Sequence, residues 1–230
     1  MLISQSKTAV ASPVVVELFE SQGCSSCPPA ERVMARLRQE FGNSVILLTY
    51  HVDYWDYLGW KDTFSDRLYT ELQKQYGAVF NQDSIYTPEM VVNGEVGFVG
   101  SDHQAATDQV GSRTAAALKS FNLSVKKTET GAAVHVELPP ALASTARQVT
   151  ALVVEDAEPV HVLRGENAGA TMSGDSAVRT VLPLSLDHSG RAEAPIVLKE
   201  SWNTAKLKIV VLVRGDPLRI LAAQEANWPR

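Results

Sequence analysis

The only two cysteines of this 230-residue chain stand three apart, as Cys24-Ser25-Ser26-Cys27. That spacing lets both sulfurs meet on one face of a helical turn. The pair can then cycle between dithiol and disulfide, give two ligands to a metal ion, or sit inert. As a staple it would do little. Closing a ring of four residues is worth only about 2 kcal/mol by loop entropy, before strain is subtracted. Spending both cysteines on so small a ring points to chemistry. At a helix N-terminus, unpaired N–H groups and the positive end of the dipole favour a thiolate. Thiols so placed ionise at about pH 3.5 to 7.5, against roughly 8.5 when free. The expected division of labour makes Cys24 the exposed nucleophile and Cys27, one turn in, the buried resolving thiol.

The flanking residues supply the elements that would hold such a pair. Residues 14–19, VVVELF, form a β-branched run suited to a buried strand. After the cysteines, Val33, Met34, Leu37 and Phe41 recur at helical spacing. Pro28 and Pro29 fit the first helical turn, and Gly42-Asn43 stops the helix. Residues 45–52 read as a second strand, parallel to the first through a right-handed crossover. A polar, aromatic loop follows. Residues 62–76 then predict a second helix, 86–92 a strand entered through a proline, and Asn93-Gly94 a hairpin. From Asp102 to Ser120 the chain is Ala-rich and helical, with Asp102 as a cap. The order is β-α-β, then α-β-β-α. Beyond about residue 120 the texture changes to short β-rich runs separated by Gly, Pro, Asp and Asn. The expectation is an α/β domain over 12–120 packed against a β-rich, antiparallel, sandwich-like domain over 121–230.

Composition removes several classes of function. A formal charge of −5 lacks the basic surface of a general nucleic-acid or acidic-membrane binder. No apolar run approaches the roughly 18 to 20 residues of an integral membrane segment. No Gly-rich phosphate loop follows a strand, and no Ser-His-Asp signature is legible. The first residues, MLISQSKTAVASP, lack the apolar core of a working signal peptide. Ala9-Val10-Ala11 has the small-x-small look of a cleavage site. The stretch reads either as the tail of a longer export signal or as a frayed terminus.

The segments SQGCSSCPPA, HVDYWDYLGWKD, YTPEMVV and VGSDH, with Gly165-Glu166-Asn167-Ala168-Gly169 further on, resemble a family of uncharacterised bacterial proteins. That family, a domain of unknown function numbered 1223, is similar to thioredoxins. The resemblance covers most of the chain. It implies a thioredoxin-like fold for the N-terminal part, and its members are usually exported. A periplasmic or secreted location is therefore expected, with the cytoplasm as the alternative. The implied activity is thiol–disulfide exchange with a protein or a small thiol or disulfide. No cofactor is called for, and no substrate or oligomeric state is implied.

Likeness to thioredoxin assigns further residues. A cis-proline there opens the strand facing the cysteines, and the residue before it offers backbone groups to a bound peptide. Thr87-Pro88 stands at the matching place, and a cis X–Pro bond costs only about 0.5 to 1 kcal/mol. Thioredoxin also keeps a buried acid a strand's length before its cysteines. By that likeness Glu17 would move a proton to or from Cys27, although its gap to Cys24 is one residue longer. The plainer alternative is a solvent-facing or salt-bridged Glu17. His51 and Asp53 end the second strand, where ligands of open α/β sheets sit. Both either make structural hydrogen bonds or look toward the cysteines. In the second case Cys24, Cys27 and His51 would form a soft copper site, as in copper-delivery proteins of related fold. Tyr54, Trp55, Tyr57 and Trp60 either line a substrate groove, with Tyr54 and Trp55 foremost, or pack beneath their own loop. Arg164, Glu166 and Asn167 read as a structural turn or as an interdomain or partner contact. Gly23 and Ser25-Ser26 depart from thioredoxin's Trp and Gly-Pro, which changes the redox tuning. A third reading is a binding module that kept the fold and lost turnover.

Overall fold

A computed structural model describes residues 13–114 and 118–230. The N-terminal stretch 1–12, with its question of an export signal, lies outside the described residues, as do 115–117.

Strand β1 (Val14–Glu20) and strand β2 (Val45–His51) are buried at every position and run parallel, joined through helix α1 (Pro28–Phe41). Helix α2 (Arg67–Val79) starts later than its apolar spacing predicts. The Asp66 carboxylate accepts the Leu68 N–H and caps it, whereas Asp62 is taken up by a turn and by His51. Strands β3 (Glu89–Val92) and β4 (Val96–Val99) form the expected hairpin, with positive φ at both Asn93 and Gly94. Helix α3 (His103–Thr114) is capped by Asp102, whose carboxylate accepts the Ala105 N–H. The order β-α-β, α-β-β-α is thus observed.

The remaining chain contributes β5 (Asn122–Thr128), β6 (Gly131–Glu137), the short α4 (Pro140–Ala143), β7 (Gln148–His161), β8 (Thr171–Pro183), β9 (Arg191–Val197), β10 (Leu207–Arg214) and β11 (Ile220–Asn227). Four of these strands do not stay apart from the first half. One eight-stranded mixed sheet runs β11-β10-β7-β8-β2-β1-β3-β4, with β2 and β8 meeting in parallel at Thr49 and Ala177. Strands β5, β6 and β9 form a second, antiparallel sheet. Its inner residues Val134, Val136 and Ile196 pack on Ala151, Val153, Ile209 and Val211 of the large sheet.

Alternation along β1 assigns its side chains to two faces. Val14, Val16 and Leu18 pack with Val33, Met34 and Leu37 of α1. Val15 and Phe19 pack with Tyr50, and with Tyr69 and Tyr76 of α2. Among the described residues, no helix is long and apolar enough to cross a membrane.

Candidate functional site around the cysteine pair

Cys24 and Cys27 are joined in a disulfide at the mouth of α1, with Cys27 as the N-cap residue. Pro28 and Pro29 occupy the first two helical positions. Their rings remove two N–H groups that would otherwise point toward the sulfurs. The helix therefore offers the pair its dipole with few N–H donors. Gly23 sits at a close approach: a Cβ there would lie 3.1 Å from the Cβ of Trp55, which would have to give by a few tenths of an ångström.

The Thr87–Pro88 bond is cis, as the sequence leads one to expect. Ser26 ties this corner to the cysteines, its hydroxyl lying 3.3 Å from the Thr87 carbonyl oxygen and 3.4 Å from Cys24 Sγ. The Trp55 Nε1–H donates to Thr87 Oγ1 at 2.8 Å.

Accessibility departs from expectation. Ser25 and Ser26 are exposed, but Cys24 and Cys27 are both 0% exposed, so neither is an open nucleophile in this state. The disulfide packs with Val162 and Met172 at the far ends of β7 and β8, and with Trp55 and Trp60. The Asn167 amide donates to the carbonyl oxygens of Gln22 (3.0 Å) and Cys24 (2.8 Å). Glu166 accepts from the Ser25 N–H and hydroxyl at 3.2 and 2.7 Å. The 165–169 stretch is therefore both a turn and a contact with the cysteine loop.

Family membership bears on this arrangement, because the bonds between the capping hairpin and the cysteine loop join residues 141 to 145 apart in sequence. A family model described as Protein of unknown function (DUF1223) matches residues 15–214, spanning both. The chain belongs to this family. Two solved structures are similar to this DUF1223 chain. A crystal structure of a protein from Agrobacterium tumefaciens shares 28% identity with a TM-score of 0.71, covering 94% of each chain. HBP35 of Porphyromonas gingivalis shares 14% identity with a TM-score of 0.69, covering 96% of this chain and 76% of its own. The second likeness speaks to the fold alone. No curated protein matches the chain.

Glu17, the sequence's candidate for proton transfer, lies on the α2 face of β1. Its carboxylate accepts from Arg214 at 2.6 Å and from the Tyr76 hydroxyl at 2.5 Å. This is the salt-bridged alternative, turned away from α1. Three residues on, Glu20 takes the opposite face and sits buried beneath α1. Sequence reasoning passed over it, although its parity with Val16 and Leu18 places it on the helix side of the strand. Burial pushes its carboxyl well above the usual range, with the charge of His51 opposing. Glu31 lies one helical turn beyond Cys27, and side chains four apart share a helix face. Its carboxylate accepts the Ser173 N–H at 3.1 Å. Burial pushes Glu31 up to about 7, against that hydrogen bond and the charge of His51. A narrow crevice of about 20 Å³ runs between Glu20, Glu31 and Thr49, enough for roughly one water.

His51 makes the structural contacts weighed for it. Nδ1 lies 2.8 Å from Asp62, and Nε2 lies 3.6 Å from Glu20 without a hydrogen-bond partner. Burial pulls its pKa down, but the charge and hydrogen bond of Asp62, with Glu20 and Glu31 beyond, outweigh this and hold it at about 9. Asp62 is kept below its ordinary value despite burial, by His51 and by the N–H groups of Gln22 and Phe64. Asp53 accepts from the Thr70 hydroxyl on α2. Tyr54 donates to Gln73, also on α2, whereas Trp55 and Trp60 stay at the disulfide and Tyr57 is exposed. Among the described residues, no group of three or more His, Cys, Asp or Glu is arranged to hold a metal ion.

Proposed function

We propose that this chain is a thiol–disulfide oxidoreductase whose N-terminal half is a thioredoxin-like unit and whose partner is a protein or small-molecule thiol or disulfide. The observation that carries the reading is the Cys24–Cys27 disulfide at the start of a helix, tied through Ser26 to the cis Thr87–Pro88 corner. The sheet order β2-β1-β3-β4, with α1 and α3 on one face and α2 on the other, supports the fold assignment.

In the reductive direction, the Cys24 thiolate attacks one sulfur of a substrate disulfide. A mixed disulfide forms and the other substrate sulfur leaves as a thiolate. Cys27 then loses its proton and attacks Cys24 Sγ, closing the intramolecular disulfide and releasing the second substrate thiolate. Two electrons pass to the substrate, and two protons end on its sulfurs. The oxidative direction reverses each step. Thr87 and Pro88, with Trp55, are the docking corner. We assign the proton traffic of Cys27 to Glu31 and Glu20, whose carboxyls share the α1 face and have their pKa raised by burial, rather than to Glu17, which faces α2 and is spent on Arg214 and Tyr76. A disulfide fits an oxidising compartment, and we place the protein in the periplasm or outside the cell.

The test is exchange of the reduced protein with a small aromatic disulfide, followed by thiol release, alongside titration with Cu(I). Two thiols released per turn, lost in Cys24→Ser and trapped as a mixed disulfide in Cys27→Ser, are expected. Tight one-to-one copper that disappears in His51→Ala, with no exchange, would replace the redox reading by metal delivery. Neither activity would leave a binding module.

A further inference from the structure

A disulfide whose two residues have no exposed surface cannot meet a second sulfur until something moves. The cover comes from the distant hairpin formed by β7 and β8. Its flanks, Val162 and Met172, lie on the disulfide. Its turn is closed by Val162 N–H to Ala170 O and Gly169 N–H to Val162 O.

We propose that this hairpin tip, residues 163–169, is a lid that decides which reagents reach Cys24 and Cys27, with Asn167 and Glu166 as its latches. The tip is otherwise a surface turn: Leu163, Arg164, Glu166, Ala168 and Gly169 are exposed, and Asn167 alone turns inward and is buried. Its amide meets two backbone carbonyls of the cysteine loop, at Gln22 and Cys24. Glu166 grips the next residue, Ser25, by both its N–H and its hydroxyl. Together the latches therefore hold three of the four residues from Gln22 to Ser25, the segment that carries the first cysteine. Gly165 and Gly169 bracket the latches at φ of 81° and 84°. Nothing lies within 4 Å of where a Cβ at Gly169 would stand, so this end of the turn faces open space. Outward swing of the hairpin end would break the two buried Asn167 bonds and the exposed Glu166 bonds, and would carry Val162 and Met172, at the base of the tip, off the disulfide while the rest of the β7–β8 ladder stays in place. It would uncover the disulfide together with the apolar faces of Trp55 and Trp60, a surface suited to a partner segment that pairs apolar side chains with backbone donors for the carbonyls Asn167 now occupies.

The proposal deepens the oxidoreductase reading but concerns access, so its test does not need a substrate. Oxidised protein is treated with excess tris(2-carboxyethyl)phosphine. The phosphine attacks one sulfur, the S–S bond breaks, water supplies oxygen to give the phosphine oxide, and two protons complete the thiols. Thiol appearance is followed over a range of phosphine concentrations. The wild-type rate should level off as lid opening becomes limiting. Asn167→Ala and the Asn167→Ala/Glu166→Ala pair should react at least tenfold faster, and Leu163→Ser, on the same tip without a latch, should react as wild type. Hydrogen exchange of the Ser25 amide should rise in Glu166→Ala, a readout independent of the sulfurs. Unchanged melting temperatures would show that the variants stay folded. Equal rates in wild type and the double variant, rising in proportion to phosphine throughout, would overturn the lid. Faster reduction without any disulfide exchange would keep the lid and remove the oxidoreductase.

Discussion

Strand β1 buries two glutamates three residues apart, and the two faces of the sheet treat them in opposite ways. On the α2 face, Glu17 is paired with Arg214 and receives a hydroxyl from Tyr76, so its charge is answered. On the α1 face, Glu20 has one carboxylate oxygen without a partner and an imidazole at 3.6 Å. Both oxygens of Glu17 are spent, on Arg214 and Tyr76. Glu20 keeps an unpartnered oxygen beside a second carboxyl of raised pKa and a water-sized crevice. The difference teaches that two acids on one strand are told apart by the partners each face supplies, and that the face of the strand matters more than distance in sequence from the cysteines.

The largest effect should come from making the same change at both glutamates. Glu17→Gln leaves the buried Arg214 charge unanswered and should cost about 3 to 5 kcal/mol in urea unfolding. Glu20→Gln, which mimics the protonated acid, should cost less than about 1 kcal/mol. Equal costs would erase the distinction between the faces.

The pH dependence of stability should come next. Glu31 is raised from 4.5 to about 7, so the folded chain keeps a proton that the unfolded chain releases, and stability falls as pH rises between those values. His51 is raised from 6.5 to about 9, so its contribution is full below 6.5 and is lost as pH rises through 9. Both slopes have the same sign, and the His51 part is on the order of 3 kcal/mol. Melting temperature should therefore decline from about pH 5 to pH 9. Glu31→Gln should flatten the lower half of the decline and leave the upper half, whereas a profile that rises over this range would contradict the α1-face cluster.

Tyr76→Phe removes one donor from Glu17 and should cost about 1 to 2 kcal/mol, with no change in the pH profile of cysteine reactivity. Smallest of all, Trp55→Phe loses the bond to Thr87 Oγ1 and should cost about 1 kcal/mol, while weakening substrate binding more than the turnover of bound substrate.

Local signals carried much of this molecule. The CxxC pair, the strand before it, the prolines at the mouth of α1 and the Asn93-Gly94 hairpin are each written in a few contiguous residues, because turns, caps and helix starts are decided by neighbours along the chain; the cis Thr87–Pro88 bond was expected from the likeness to thioredoxin. The start of α2 was displaced because two nearby aspartates compete to cap it, and spacing alone does not choose between Asp62 and Asp66. The partners of buried charges were not legible. Arg214 lies 197 residues from Glu17, and nothing local to either predicts their meeting. Likewise, the two halves differ in composition, yet their strands share one sheet where Thr49 of β2 stands opposite Ala177 of β8.

What the sequence determined by itself is which atoms could react: two sulfurs at a strand–helix corner, set by short-range geometry. What only the tertiary structure decided is whether those atoms are reachable and which acids lie on their side of the sheet. Burial and charge pairing depend on side chains brought together from distant parts of the chain. The cover over Cys24 comes from residues near 167, and the burial that raises Glu20 comes from the whole sheet around it.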